Sequence, residues 1–165
     1  MSYPTSLLTK SSRVFFEETG WDKLVSALND NDFSKVFVLT DTNTNRDCLT
    51  VFRSKVKCDF TLLVMKAGEQ NKHLNTCTQL WRELSEFGAD RNALLINLGG
   101  GVVTDLGGFV ACAYKRGIAF INIPTTLLSM VDASVGGKTG VDLDQLKNQS
   151  ASYRSLILYW WTRYF

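Results

Sequence analysis

Four short apolar runs, each separated from the next by an amphipathic stretch, constrain this chain more than any other feature. They are Lys35–Thr40 (KVFVLT), Phe60–Met65 (FTLLVM), Ala93–Leu98 (ALLINL) and Ala119–Ile123 (AFINI). Their continuous β-branched, aromatic and leucine-rich character is that of strands buried on both faces. Helical periodicities lie between and before them. Trp21, Leu24, Val25 and Leu28 recur at helical spacing, and Asn45–Ser54 reads as a helix. Across Asn71–Phe87, the residues Leu74, Cys77, Leu80, Trp81, Leu84 and Phe87 line one face, and Gly88 stands where a helix stop belongs. Val103–Lys115 reads as a helix ended by Arg116-Gly117, Leu127–Val135 as a short helix, and Arg13–Glu17 as a strand. Strands and helices in this alternation require right-handed crossovers and a parallel sheet flanked by helices, which places the chain in the α/β class.

Parallel sheets of this kind bind ligands at the carboxyl ends of their strands. The turns after Leu39, Met65, Leu98 and Ile123 therefore share one edge. Asp41, Asn43, Glu69, Lys72, Gly99 to Asp105, Thr125 and Thr126 fall there and form a candidate site. Within it, Gly99-Gly100-Gly101 joins a strand to a helix. Glycines let a phosphate approach the backbone, and the helix start offers unpaired N–H groups. The turn departs from G-x-G-x-x-G, because Thr104 stands where the third glycine belongs. A tight turn with close helix packing is the plain alternative. Asp105, read as lying on the first helical turn, either complements the helix dipole or holds a sugar or nicotinamide group.

A second glycine-rich segment, Asp132 to Thr139 (DASVGGKT), approximates a P-loop. Asp132 occupies a required glycine position, and a helical stretch rather than a strand precedes it, so the P-loop reading fails. Lys138 is left as a lysine held in a glycine-rich turn or as an exposed surface lysine.

Composition narrows the partners. With 165 residues and 45% hydrophobic content, the chain suffices for one domain with a real core. A formal charge of +2 is too small to argue for nucleic acid or membrane surfaces. Cys48, Cys58, Cys77 and Cys112 form no C-x-x-C pair and read as thiols in a reducing compartment. The first sixteen residues lack the apolar core of a secretory signal, and Leu94–Ala113, with Asp105 and many glycines, is a poor membrane span. The expected location is cytoplasmic.

Taken together, GEQNK (Gly68 to Lys72), GGGVVTDLGGF (Gly99 to Phe109), YKRG (Tyr114 to Gly117), IPTTLLSMVDASVGGKTGV (Ile123 to Val141) and Lys147-Asn148 closely resemble the 3-dehydroquinate synthases, sugar-phosphate cyclases of the shikimate pathway. The resemblance implies a Rossmann-like NAD-binding domain and a carbon–oxygen lyase. Such an enzyme converts 3-deoxy-arabino-heptulosonate 7-phosphate to 3-dehydroquinate and phosphate, with catalytic NAD and a divalent metal, zinc or cobalt. It implies that Asp41, Glu69 and Lys72, with Asn43 and Gly68 beside them, contact the adenosine half of NAD. Gly100, Gly101 and Val102 would pass the pyrophosphate, followed by Val103 and Thr104, with Asp105 near the nicotinamide. Thr125, Thr126 and Leu128 would line the cofactor cleft, and Lys138 and Lys147 would touch cofactor and substrate. Asp132, Lys138 and Asn148 would bind substrate hydroxyls and carboxylate. Arg116 would help neutralise a substrate anion, with a dimer interface as one place to act from. The implied assembly is a homodimer. Another cyclase such as 2-deoxy-scyllo-inosose synthase, a glycerol dehydrogenase-like enzyme and a non-enzymatic fragment are the competing readings.

The resemblance also implies a C-terminal helical domain that supplies a Glu and two His residues to the metal. This chain ends at Phe165 and its one histidine is His73, in the cofactor lobe, so no metal ligand is assigned. The expected organisation is an NAD-binding domain over 1–148 and an anomalous tail over 149–165. Ser150-Ala151-Ser152 stands where Ile-Gly-hydrophobic is expected, and reading Ile-Gly-Val codons one base late yields Ser-Ala-Ser. A frameshift or mispredicted gene end is the expectation, with a genuine helix or strand capping the sheet as its rival. The truncated chain is expected to be inactive alone.

Overall fold

A computed structural model describes residues 6–8, 13–131, 139–143, 146–152 and 158–161. Three of the four apolar runs form neighbouring parallel strands in the centre: β3 (Val36–Asp41), β5 (Leu94–Gly99) and β6 (Ala119–Pro124). The fourth, β4 (Thr61–Met65), is parallel to β3 on its outer side. On the far side of β6 lie β9 (Leu158–Trp161), parallel to it, then β2 (Arg13–Phe16), then β1 (Ser6–Leu8), the one antiparallel member of the sheet. The order is β1-β2-β9-β6-β5-β3-β4. A separate antiparallel hairpin joins β7 (Thr139–Leu143) and β8 (Leu146–Ser152).

Alternation along the strands divides the core into two layers. Phe37, Leu39, Leu63, Met65, Leu95 and Phe120 pack with Cys77, Leu80 and Leu84 of α4 (Leu74–Glu86) and Val103, Leu106 and Val110 of α5 (Gly101–Ala113). Val38, Leu94, Ile96, Leu98, Ile121 and Ile123 pack with Trp21 and Leu24 of α1 (Glu17–Asp30) and Phe52 of α3 (Leu49–Lys55). The parallel sheet with helices on both faces is the architecture expected. Gly88 ends α4 as expected: its φ is +73°, its N–H donates to Ser85 O at 3.0 Å, and Ala89 N–H donates to Leu84 O at 2.8 Å.

Three boundaries differ from the sequence reading. The helix read over Asn45–Ser54 is two: α2 (Thr42–Asp47) begins early because Asp41 caps it, and the chain turns at Cys48 into α3. The helix read over Asn71–Phe87 starts at Leu74, because Glu69–Asn71 makes a 3-10 turn and His73 Nδ1 accepts the Thr76 N–H at 3.3 Å as the cap. Helix α5 starts at Gly101, not Val103, which puts Asp105 beyond the first turn. The short helix read over Leu127–Val135 is α6 (Leu127–Val131), and its remaining residues lie outside those described. The tail read as anomalous contains β9, whose backbone enters the sheet between β6 and β2 rather than capping its edge.

None of the four cysteines is in a disulfide. Burial pushes the Cys77 thiol up to about 12 and the Cys48 thiol up to about 11, so both stay protonated at neutral pH. Among the described residues, no helix is long and apolar enough to cross a membrane.

Candidate cofactor site

From β3 the chain moves outward to β4, then crosses back to β5 on the other side of β3. This reversal opens a crevice at the carboxyl ends of β3 and β5, where parallel sheets take ligands. Asp41 borders it from β3 and Gly100-Gly101 from β5. The turn after β6 joins them: Thr125 N–H donates to Gly99 O at 3.0 Å. The turn after β4 approaches through Ala67, whose N–H donates to Thr42 Oγ1 at 3.3 Å. The four strand-end turns thus share one edge, as their positions in the sequence imply.

The three glycines of the turn have different reasons for being glycine. A Cβ on Gly99 would stand 2.6 Å from Val103 Cβ, and one on Gly100 would stand 3.2 Å from Thr126 Cγ2. Gly99 is set by packing, whereas Gly100 is crowded only by the side-chain methyl of the exposed Thr126. A Cβ on Gly101 would meet nothing within 4 Å, and its φ is not positive. Neither conformation nor packing asks for glycine there, and what it provides is open space at the start of α5. The N–H groups of Gly101, Val102 and Val103 open the helix with no intrahelical acceptor, and Gly100, the N-cap, has no side chain to meet them. Thr104 N–H donates to Gly100 O at 3.0 Å, and its hydroxyl donates to Gly100 O and Gly101 O at 3.2 Å. Val103 and Thr104 are buried, so it is their backbone, not their side chains, that the crevice can use.

Charge at the crevice is organised as a pair. Lys72 Nζ lies 2.7 Å from Asp105 Oδ2, with side chains only 7% and 20% exposed. The resemblance assigned these residues to opposite ends of a dinucleotide; here their charged ends meet. Placement in the second turn of α5 also removes the dipole account of Asp105, since that effect fades within one turn. Asp41 has a structural duty as well. Its Oδ1 accepts from Asn43 N–H at 3.0 Å, Thr44 N–H at 2.8 Å and Thr44 Oγ1 at 3.0 Å, while Oδ2 accepts from no described residue and remains available. Gly68 holds φ +108° before the 3-10 turn that carries Glu69, and Asn43, Glu69, Thr126 and Leu128 are exposed along this edge.

The hairpin that follows the long glycine-rich block is tied to the same place. Asp142 N–H donates to Lys72 O at 3.0 Å, and Thr139 lies against Gly108 of α5. Lys147 and Asn148 are on β8. Asp132 and Lys138 lie outside the described residues.

Arg116 is not brought to this edge. Helix α5 leads away from the crevice, and Tyr114–Arg116 turns at the opposite, amino edge of the sheet, about 20 Å away by helix length. The turn is strained: φ is +46° at Lys115 and +74° at Arg116, ahead of Gly117 at +108°. Ala89 O holds it, accepting Lys115 Nζ at 2.8 Å and Tyr114 OH at 3.2 Å.

Sequence reasoning did not single out Asn97 and Asn122. They are register partners, each two residues before a site turn, and Asn97 Nδ2 donates to Asn122 Oδ1 at 2.8 Å. The available signal was a single Asn at the same place in two otherwise apolar strands.

For a metal, the described residues offer no group of three or more His, Cys, Asp or Glu, and His73 is spent as a helix cap. These described residues do not form a metal site. For a dinucleotide the fit is good: open space at Gly101, a row of N–H donors and an available carboxylate oxygen at Asp41.

Fold and crevice define an α/β domain with a parallel sheet, helices on both faces and a crevice at the carboxyl ends of its strands. The family model for the 3-dehydroquinate synthase N-terminal region matches residues 62–158. The 3-dehydroquinate synthase of Parabacteroides distasonis is 46% identical over 132 residues, 79% of this chain and 37% of the relative. That of Campylobacter jejuni is 42% identical over 137 residues, covering 82% and 39%. The chain belongs to the 3-dehydroquinate synthase family and spans a little over a third of the length of these relatives. A 2-deoxy-scyllo-inosose synthase solved with carbaglucose-6-phosphate, NAD+ and Co2+ superposes with a TM-score of 0.81 at 25% identity, covering 90% of this chain and 42% of that one. The 2-epi-5-epi-valiolone synthase of Streptomyces hygroscopicus, with NAD+ and Zn2+ bound, gives 0.74 at 29% identity, covering 96% and 45%.

Proposed function

We propose that this chain is the NAD-binding part of an enzyme that converts 3-deoxy-arabino-heptulosonate 7-phosphate to 3-dehydroquinate and phosphate, a carbon–oxygen lyase of the cytoplasm. The observation that carries the nucleotide reading is Gly101, a glycine whose missing side chain serves only the space in front of the helix. On this reading the N–H groups of Gly101, Val102 and Val103 hold the pyrophosphate, and Asp41 Oδ2 accepts a ribose hydroxyl. The Lys72–Asp105 pair fixes the wall of the crevice, and Thr125, Thr126 and Leu128 line the other side. When bound, NAD supplies reversible hydride removal from a substrate alcohol. Asp132, Lys138, Lys147 and Asn148 are assigned to cofactor and substrate by the family pattern, and a divalent metal belongs to the reaction by the same pattern. Arg116, a helix length from the crevice of its own chain, meets a substrate anion only from a second copy, which makes a homodimer part of the proposal.

Stronger sequence identity to the 3-dehydroquinate synthases than to the solved inosose synthase favours the former substrate. Calorimetric titration with NAD, followed by a phosphate-release assay on the heptulosonate phosphate with added zinc or cobalt, tests both halves of the reading. Saturable NAD binding without turnover is the expected result. An NAD titration with no heat or fluorescence change would overturn the nucleotide reading, and turnover by this chain alone would overturn its assignment to the cofactor half.

A further inference from the structure

Helix α5 carries both the glycine turn and Asp105, so its height above the sheet sets the shape of the crevice. Two consecutive glycines in mid-helix, Gly107 and Gly108, rest on the layer below. A Cβ on Gly107 would fall on Asn97 Oδ1, and one on Gly108 would fall on Thr139 Cγ2, with Phe120 Cε2 at 3.3 Å. Asn97 cannot swing aside, because it is fully buried and its amide is held by Asn122, itself 1% exposed. Its Oδ1 accepts no hydrogen bond from the described residues. A buried acceptor left without a donor is unfavourable, and an apolar side chain there would remove that cost. What the amide supplies instead is a rigid, hydrogen-bonded floor of fixed height under Gly107.

We propose that the Asn97–Asn122 amide pair, with Gly107, Gly108 and Thr139, is a seat that sets the height of α5 and so positions the Gly100–Val103 turn and holds Asp105 against Lys72. These are positioning residues, remote from any ligand. Gly107 is six residues from Gly101, about 9 Å along the helix, so lifting the helix here tilts the turn directly. The seat also ties the turn to β7, because Thr139 supports Gly108 while Asp142, three residues on, is bonded to Lys72 O. The effect on nucleotide affinity rests on the function proposed above; the effect on turn geometry does not.

Two independent rescue pairs test the seat. Gly107→Ala should shift the amide resonances of Gly100 to Thr104 in a protein that remains folded, and should weaken NAD binding roughly tenfold or more. Asn97→Ala in the same chain removes the obstructing oxygen and should return both readouts towards the parent. In parallel, Gly108→Ala should perturb the turn. Adding Thr139→Ser, which keeps the hydroxyl and removes only the obstructing methyl, should restore it. Should one single variant not fold, the other pair still decides. Single variants that lose stability without moving the turn resonances, or double variants no closer to the parent than the singles, would overturn the seat. Resonances that shift and recover in a chain that binds no NAD would uphold the seat and refute the nucleotide reading.

Discussion

The two ends of α5 are built on opposite terms. At its start, Gly101 is glycine where neither backbone nor packing asks for one. At its finish, Lys115 and Arg116 are not glycine although their φ angles of +46° and +74° favour it. Left-handed backbone costs an ordinary residue roughly 1–2 kcal/mol. Each end therefore departs from the residue its backbone alone would select, in opposite directions. The first omits a side chain and leaves open space at Gly101, beside N–H groups that have no intrahelical acceptor. The second keeps its side chains, and Lys115 Nζ and Tyr114 OH fasten the turn to Ala89 O. Omission makes room for a ligand, and retention under strain keeps two cations on the turn. On the function proposed above one edge receives a ligand and the other presents cations, and a helix length keeps the two apart within a chain.

The largest effect that would test the receiving edge comes from its ion pair. Asp105→Ala leaves Lys72, the more deeply buried partner, without its carboxylate and should cost roughly 3 kcal/mol. Lys72→Ala leaves a carboxylate with more access to water and should cost less. Urea denaturation of both variants checks the order. Equal costs would mean that the pair is not what stiffens the crevice.

Next in size is the pair of opposed effects expected at Gly101. Gly101→Ala sits in helical backbone with room for its methyl group, so it should stabilise the fold by about 0.5 kcal/mol. The same methyl enters the space assigned to the pyrophosphate and should weaken NAD binding roughly tenfold, about 1.4 kcal/mol. Thermal melts and NAD titration on one preparation would show the two signs together. A gain in stability with undiminished affinity would remove the distinction between the ends of the helix.

Much of this contrast was open to sequence reasoning, and the misses have physical causes. Buried parallel strands announce themselves as continuous apolar runs, so KVFVLT, FTLLVM, ALLINL and AFINI located the sheet and, through their ends, the crevice. Strand order was not readable, because β9 reaches β2 and β6 through non-local pairing that no periodicity encodes. Asp105 was placed one turn too early because Gly101 and Val102 read as turn rather than helix. A Cβ-sized space at Gly101 and a collision at Gly107 look alike in sequence; only the surroundings tell a ligand-facing glycine from a packing one. Asn97 and Asn122 are single letters in apolar runs, informative only once the register sets them side by side.

The smallest expected effect isolates the strain at the presenting edge. Arg116→Ala and Arg116→Gly lose the same side chain and the same contacts of the guanidinium. They differ only in what the backbone tolerates at φ +74°. Gly accepts this conformation freely and Ala does not, so Arg116→Gly should be the more stable of the two by about 1 kcal/mol, against glycine's greater entropy loss on folding. Chemical denaturation at matched slope measures the difference. Both variants should leave NAD affinity at the parent value, because the residue lies a helix length from the crevice. If Ala proved as stable as Gly, the turn would not be strained at Arg116. If either variant weakened NAD binding within one chain, the separation of the two edges would fail, and Arg116 would have to act on its own crevice rather than on that of a second copy.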